Sequence, residues 1–226
     1  MKKGILIYLL TSAVCLANIK VDTIKKSETT KKYTYEFSYP SLSLDGKTLP
    51  INQEIEKNIS YNIKGFTRVG EHNPYSDRPY EAQSIFKDYK NNFGITSILE
   101  SIYTYTGGNH GMTGFTSYNI SNKTGKNLKF NDIFRRGARE YFEKEIRDNI
   151  IKDVKVNKEK TKYFRDSSTR FVDLDNAVIF FRGDNLVIRY QQYAIAPYSS
   201  GWYDTHKGHI YIINKLKNIR KLVMYV

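Results

Sequence analysis

The chain of 226 residues has a single cysteine, Cys15, and that scarcity removes several chemistries at once. Cys15 lies within an N-terminal segment that carries the marks of an export signal. The part beyond that signal therefore has no thiol, so it folds without disulfides and uses neither thiol catalysis nor thiolate metal binding. No serine sits in a Gly-x-Ser-x-Gly elbow, which leaves nucleophilic acyl chemistry without a recognisable carrier. Histidine is scarce too. His206 and His209 could share a zinc ion with His110, but their spacing does not demand it, no helical His pair supports it, and neither a metal nor any other cofactor is expected. There is no recognition-helix or zinc-finger pattern, so nucleic acid is not an expected partner. No repeat of solenoid length is present.

Long apolar runs are also missing. The longest candidate, Ile5 to Leu10, follows Lys2 and Lys3 and leads into the small residues of Ser12 to Ala17. It falls short of the roughly 20 residues that span a bilayer, so residues 1–17 read as a signal peptide cleaved after Ala17. Val14 before Cys15 is a poor match to lipoprotein processing. Attachment to a membrane is expected only through Cys15 lipidation or an uncleaved signal, and the expected location is periplasmic or extracellular.

What the chain has in abundance is positive charge and tyrosine. The formal net charge is +13, or +11 once Lys2 and Lys3 leave with the signal, which favours anionic partners at long range. A chain rich in Lys, Asn, Ile and Tyr also fits an AT-rich genome, so the charge has two readings. With 19 Tyr, an exposed ring somewhere is expected and argues for nothing specific.

Lys20 to Lys32 is polar and lacks apolar periodicity, so residues 18–32 read as a linker and the fold is expected to begin near Tyr33. Tyr33, Tyr35, Phe37 and Tyr39 alternate with polar residues, which predicts a strand ending at Pro40. Ile51, Ile55, Ile59 and Ile63 recur every four residues behind Pro50, which predicts a helix. After a loop over Glu71 to Glu81, extended segments are predicted near Ser84 to Asn91, Ile95 to Thr106 and Thr113 to Ser121. A second helix carries Tyr141, Phe142, Ile146, Ile150 and Ile151. Ala177 to Phe181 and Leu186 to Tyr190 flank Gly183-Asp184-Asn185 as a hairpin, and His209 to Ile213 and Leu222 to Val226 add closing strands. The fold class is α+β, with antiparallel sheets packed on two main helices in two small subdomains, 33–110 and 111–226.

Two segments carry the candidate site. In Tyr103-Thr-Tyr-Thr-Gly-Gly-Asn-His-Gly111, the glycines Gly107, Gly108 and Gly111 call for unusual backbone angles or close approach, and the turn presents Asn109 and His110 with Tyr103 or Tyr105 as a platform for sugars or another protein. The competing reading is a tight turn fixed by its own histidine. In Gln191 to Gly201, Tyr193, Pro197 and Tyr198 precede a bend at Gly201, and Trp202 and Tyr203 follow at once. Burial of these rings under a loop explains them equally well.

Together with Thr124-Gly-Lys126 and Leu128-Lys-Phe-Asn-Asp-Ile-Phe134, the segments Tyr105 to Gly111 and Tyr193 to Gly201 resemble the extracellular domain of RsiV-type anti-sigma factors, a domain pair also found beside the catalytic domain of PdaC-type peptidoglycan deacetylases. The resemblance spans about residues 33 to 215. The sequence departs from it at Asn109, where the family has Ala, and at Ile212-Ile213, where it has Ile-Pro. Only a signal is expected ahead of the domain, and no deacetylase motif is present, so the resemblance implies neither anti-sigma action nor deacetylation. It implies a non-catalytic binding module for a cell-wall polymer such as peptidoglycan, or for an envelope or host protein such as lysozyme. Lysozymes are commonly basic, so charge favours an anionic or glycan ligand. Two other readings stand beside it. One is a wall-acting hydrolase that joins His110 to Asp132, Asp173 or Asp204. The other is a structural envelope protein whose turns serve only folding.

Overall fold

The structure is a computed structural model and describes residues 19–75, 77–164, 172–198, 210–213 and 222–224. The signal segment 1–17, the segment from Lys215 to Lys221, and the site candidates Gly201 and Trp202 lie outside the described residues.

Two sheets meet, the smaller setting its edge strand against one face of the larger. The larger one is built from β1 (Ile19–Thr29), β2 (Tyr33–Leu44), the short β3 (Lys47–Thr48), β4 (Tyr80–Lys90), β5 (Ile95–Tyr105) and β6 (Met112–Ser121), in the order β1-β2-β4-β5-β6 with β3 on β2. Helix α1 (Ile51–Glu71) covers one face. Its isoleucine stripe does what the spacing predicts: Ile51, Ile55 and Ile59 are buried against Phe37, Tyr39, Leu42, Ile98 and Tyr118. The smaller sheet, β7 (Ala177–Arg182), β8 (Asn185–Tyr190) and β9 (Ile210–Ile213), lies with the one-turn α2 (Phe130–Ile133) and the long α3 (Ala138–Asn157) on the other side. Phe142, Ile146 and Ile150 of α3 bury against Phe181, Leu186 and Ile188.

The α+β class holds, and several details differ from the expectation. Residues 18–32 are not a linker: Ile19–Thr29 form a full edge strand, antiparallel to β2 along its whole length. Only Ile19 is buried there, so the pairing rests on backbone groups and leaves no apolar period in the sequence. Pro40 does not end β2. It lies beyond the last pairing with β4, at Phe37 and Ser84, where β2 is paired on one side by β1 and needs no second donor. That β2–β4 pair is parallel, reached by a crossover through α1, in a sheet that is otherwise antiparallel. A division at 110/111 would cut the β5–β6 hairpin, because β6 belongs to the first sheet. The expected strand over Leu222 to Val226 is a single bridge, Val223 to Phe134, among the described residues.

The contact between the sheets explains why Ile95 to Glu100 is buried throughout. Strand alternation sends Ile98 and Glu100 toward α1 and sends Ile95, Ser97 and Leu99 toward the smaller sheet. The polar residues on that second side serve the edge strand β7. Ser97 Oγ accepts from Phe181 N at 3.0 Å, and Asn119 Nδ2 and Ser117 Oγ each donate to Ile179 O at 2.9 Å. Side chains of one sheet thus complete the backbone bonding of the other.

Candidate functional site

The loop between β5 and β6 is shaped by its glycines and tyrosines. Gly107 and Gly108 adopt φ of 94° and 88°, in the left-handed half of backbone space that side chains disfavour. The Tyr105 hydroxyl donates to Gly108 O at 3.0 Å and closes the turn. Gly111 is there for a different reason: a Cβ at this position would lie 2.4 Å from the Tyr103 ring. The same ring is crowded enough that burial raises the Tyr103 phenol above its ordinary pKa. Asn109 and His110 are exposed on the outside of the turn.

The second segment leaves β8 and is held along the free edge of β6 by two glutamines. Gln191 Oε1 accepts from Phe115 N at 3.0 Å while its Nε2 donates to Phe115 O at 2.9 Å, so one side chain imitates a neighbouring strand. Gln192 Oε1 accepts from Thr113 N at 2.8 Å. The backbone then turns at Tyr193, a non-glycine residue with φ of 63°. This path carries Tyr193 and Tyr198 to the β5–β6 loop.

There the two segments meet. The Tyr198 and His110 rings stack with centroids 3.9 Å apart and planes within 12°. The Tyr193 ring is tilted by 29° to His110 and by 28° to Tyr198, with centroids 6.2 Å and 6.3 Å away. The Tyr193 hydroxyl is 3.0 Å from His110 Nε2, and His110 Nδ1 is 3.0 Å from Gly111 O. A carbonyl only accepts, so Nδ1 carries the proton, and in the neutral ring Nε2 accepts from Tyr193. The result is a triangular cluster of three aromatic rings at the end of the sheet, with Pro197 half-buried beside it.

Of the expected site residues, the structure joins His110, Tyr193 and Tyr198 and gives Tyr105, Gly107, Gly108 and Gly111 the task of shaping the loop. Asp132 and Asp173, the acids a hydrolase would set beside His110, are engaged elsewhere. Asp132 accepts from Lys129 N at 2.9 Å and pairs with Lys126, which hold its carboxyl below the usual range, while Asp173 pairs with Arg139. Asp204, His206 and His209 lie outside the described residues. The gluing role of Gln191 and Gln192 was not read from the sequence, although two amides directly after a strand are a usable signal for an edge partner.

Comparison with known proteins follows the same division. Residues 26–113 match the family described as Deacetylase PdaC. Residues 131–206 match a protein family of unknown function, DUF3298. The chain thus carries, in order, a segment similar to the PdaC family and a segment similar to DUF3298. The segment similar to PdaC holds most of the large sheet with α1 and the β5–β6 loop, and the segment similar to DUF3298 contributes Tyr193 and Tyr198. A DUF3298 family protein from Pseudomonas aeruginosa PAO1, of known crystal structure, is similar over 92% of this chain and 94% of its own, with a TM-score of 0.55 and 18% identity, a likeness of fold. A DUF3298 family member from Bacteroides fragilis NCTC 9343 covers the same shares at a TM-score of 0.49 and 14% identity. Curated protein sequences give no match. Among the described residues no helix is long and apolar enough to cross a membrane.

Proposed function

We propose that this PdaC-type and DUF3298 pair is an exported binding module without catalytic activity, and that its ligand is a glycan of the cell envelope held on the cluster formed by Tyr193, His110 and Tyr198. One observation carries the reading: two segments 83 residues apart converge at one end of the sheet, bringing the exposed His110 and Tyr193 together with the half-buried Tyr198. Sugar rings present C–H faces to such platforms and hydroxyls to their polar tips, and both are available here. The net charge, +13 for the whole chain and +11 without Lys2 and Lys3 of the signal, draws the module toward acidic wall polymers. A non-catalytic role is supported by His110, whose ring nitrogens are tied to a carbonyl and a phenol rather than to an acid.

The experiment is retention of the purified protein on insoluble peptidoglycan at low and moderate salt, beside a His110→Ala, Tyr198→Ala double variant. Retention that survives moderate salt and is lost in the variant is the expected result. Retention that vanishes with salt and is unchanged in the variant would reduce the interaction to charge and remove the reading. Immobilised lysozyme is the parallel arm. Capture there through the same rings would keep the site and replace the glycan with a protein ligand.

A further inference from the structure

The opposite face of the sheet has an open groove that the folding of the chain does not explain. It lies between the C-terminal half of α1 and the end of β5, measures about 530 Å³, and is walled by Tyr61, Phe66, Val69 and Thr104, with Lys64 and Arg68 along its rim. Alternation along β5 turns Thr104 toward α1 while Tyr103 and Tyr105 go to the other side, so the groove is separate from the cluster of rings around His110.

Three features of this stretch of α1 work against stability. Gly65 sits in the helix interior, where glycine costs about 1 kcal/mol relative to alanine. Its backbone angle does not require glycine, and a Cβ there would meet nothing within 4 Å, so packing does not require it either. Lys64 and Arg68 are like charges four residues apart on one helix face, a mildly repulsive arrangement. Neither side chain pairs with an acid or hydrogen-bonds among the described residues, and no Asp or Glu lines the groove. Tyr61 and Val69 stand largely exposed, at 78% and 45%. What these residues do have in common is the groove: glycine keeps its floor open, the tyrosine offers a ring at its side, and the two cations stand without counter-charge.

We propose that the α1 groove is a second binding site, for a carboxylate-bearing sugar segment whose ring lies over Gly65 beside Tyr61 and whose carboxylate pairs with Arg68 and Lys64. A guanidinium forks onto a carboxylate in a planar, two-bond geometry. The volume is in the range of small-molecule sites, and its mixture of apolar wall and few charged groups is what such sites show. The Thr104 and Thr106 hydroxyls and the Tyr61 phenol, without hydrogen-bond partners among the described residues, are available to sugar hydroxyls.

The test is calorimetric or NMR titration of the full chain with a galacturonic acid oligosaccharide and, separately, with its neutral methyl ester. The acid is expected to bind and the ester to bind at least tenfold more weakly. Gly65→Ala separates function from folding, because it should raise Tm by about 2–4 °C while weakening binding. Lys64→Ala with Arg68→Ala, both exposed, should abolish the preference for the acid without lowering Tm, since the like-charge repulsion is removed with it. Tyr198→Ala, which disables the other site, should leave this binding intact. No binding of the acid, equal binding of acid and ester, or full affinity in Gly65→Ala would each overturn the proposal. Loss in Tyr198→Ala alone would assign the sugar to the platform instead.

Discussion

His110 and Tyr193 share a hydrogen bond of 3.0 Å, and because His110 Nδ1 is committed to Gly111 O, the bond fixes which nitrogen of the neutral ring is bare. In water the proton of a neutral imidazole prefers the other nitrogen, so the site holds the ring in its less common tautomer. Nitrogen NMR of the neutral form is expected to show a protonated Nδ1 and a bare Nε2. Tyr193→Phe removes the donor but keeps the ring, and should release the tautomer preference at a cost in stability below about 1 kcal/mol. An Nε2-protonated ring in the unaltered protein would contradict the arrangement.

Glu100 supplies a pH dependence. It is 1% exposed beneath α1, its Oε1 has no hydrogen-bond partner, and burial pushes its carboxyl up to about 7, with the nearby Ser84 hydroxyl opposing the shift. The folded protein thus holds a proton that the unfolded chain, with an ordinary carboxyl near 4.5, gives up. Stability is therefore highest below about pH 4.5 as far as this group is concerned, falls as pH rises through the interval from 4.5 to 7, and levels off above it. The fall is about 3 kcal/mol. Glu100→Gln, neutral throughout, should flatten this slope in urea unfolding at pH 5, 6, 7 and 8, and should be more stable than the parent at pH 8.

Gly111 and Tyr103 form a pair whose coupling is measurable. Alanine at 111 would drive its Cβ into the outer atoms of the Tyr103 ring, so the ring must swing away. Gly111→Ala is expected to cost about 1–3 kcal/mol and to disturb the His110 loop. In a Tyr103→Ala background the obstacle is gone, and the added cost should shrink toward zero, a coupling that a double-mutant cycle reads directly. Additive effects would show that the close approach is not what requires glycine.

How much of this was legible in the sequence follows from what each feature leaves behind in the residue pattern. α1 and β2 bury one face each, so Ile51, Ile55 and Ile59, and Tyr33, Phe37 and Tyr39, recur with the period of their element. The glycines at 107, 108 and 111 announce a special loop because few other residues fit there. The parallel pairing of β2 with β4 leaves no such trace, since it is decided by where α1 returns the chain. The meeting of His110 with Tyr193 and Tyr198 is likewise invisible: each segment is odd by itself, and the grip of Gln191 on Phe115 and of Gln192 on Thr113 brings them together. Glu100 left a signal that was passed over, a lone acid following Ile98 and Leu99 within a buried strand.

β1 shows the same limit most clearly and gives a decisive truncation. A chain beginning at Tyr33, the start that composition suggests, would lack a strand whose eleven residues are all in register with β2. It would lose the buried Ile19, the backbone bonds of the pair, and the exposed Lys26–Glu56 contact that ties β1 to α1. The surface ion pair contributes little, but Ile19 and the backbone bonds together are worth at least about 3 kcal/mol. β2 would then become the edge of the sheet. It would present unpaired backbone along a strand with Phe37, Tyr39 and Leu42, without the lysines that line β1. The expected outcome is a lower Tm and concentration-dependent association for the chain starting at Tyr33, measured by thermal unfolding and light scattering, while a chain starting at Ile19 melts like the full-length protein. Equal melting and equal scattering of the two would return residues 19–32 to the status of a linker.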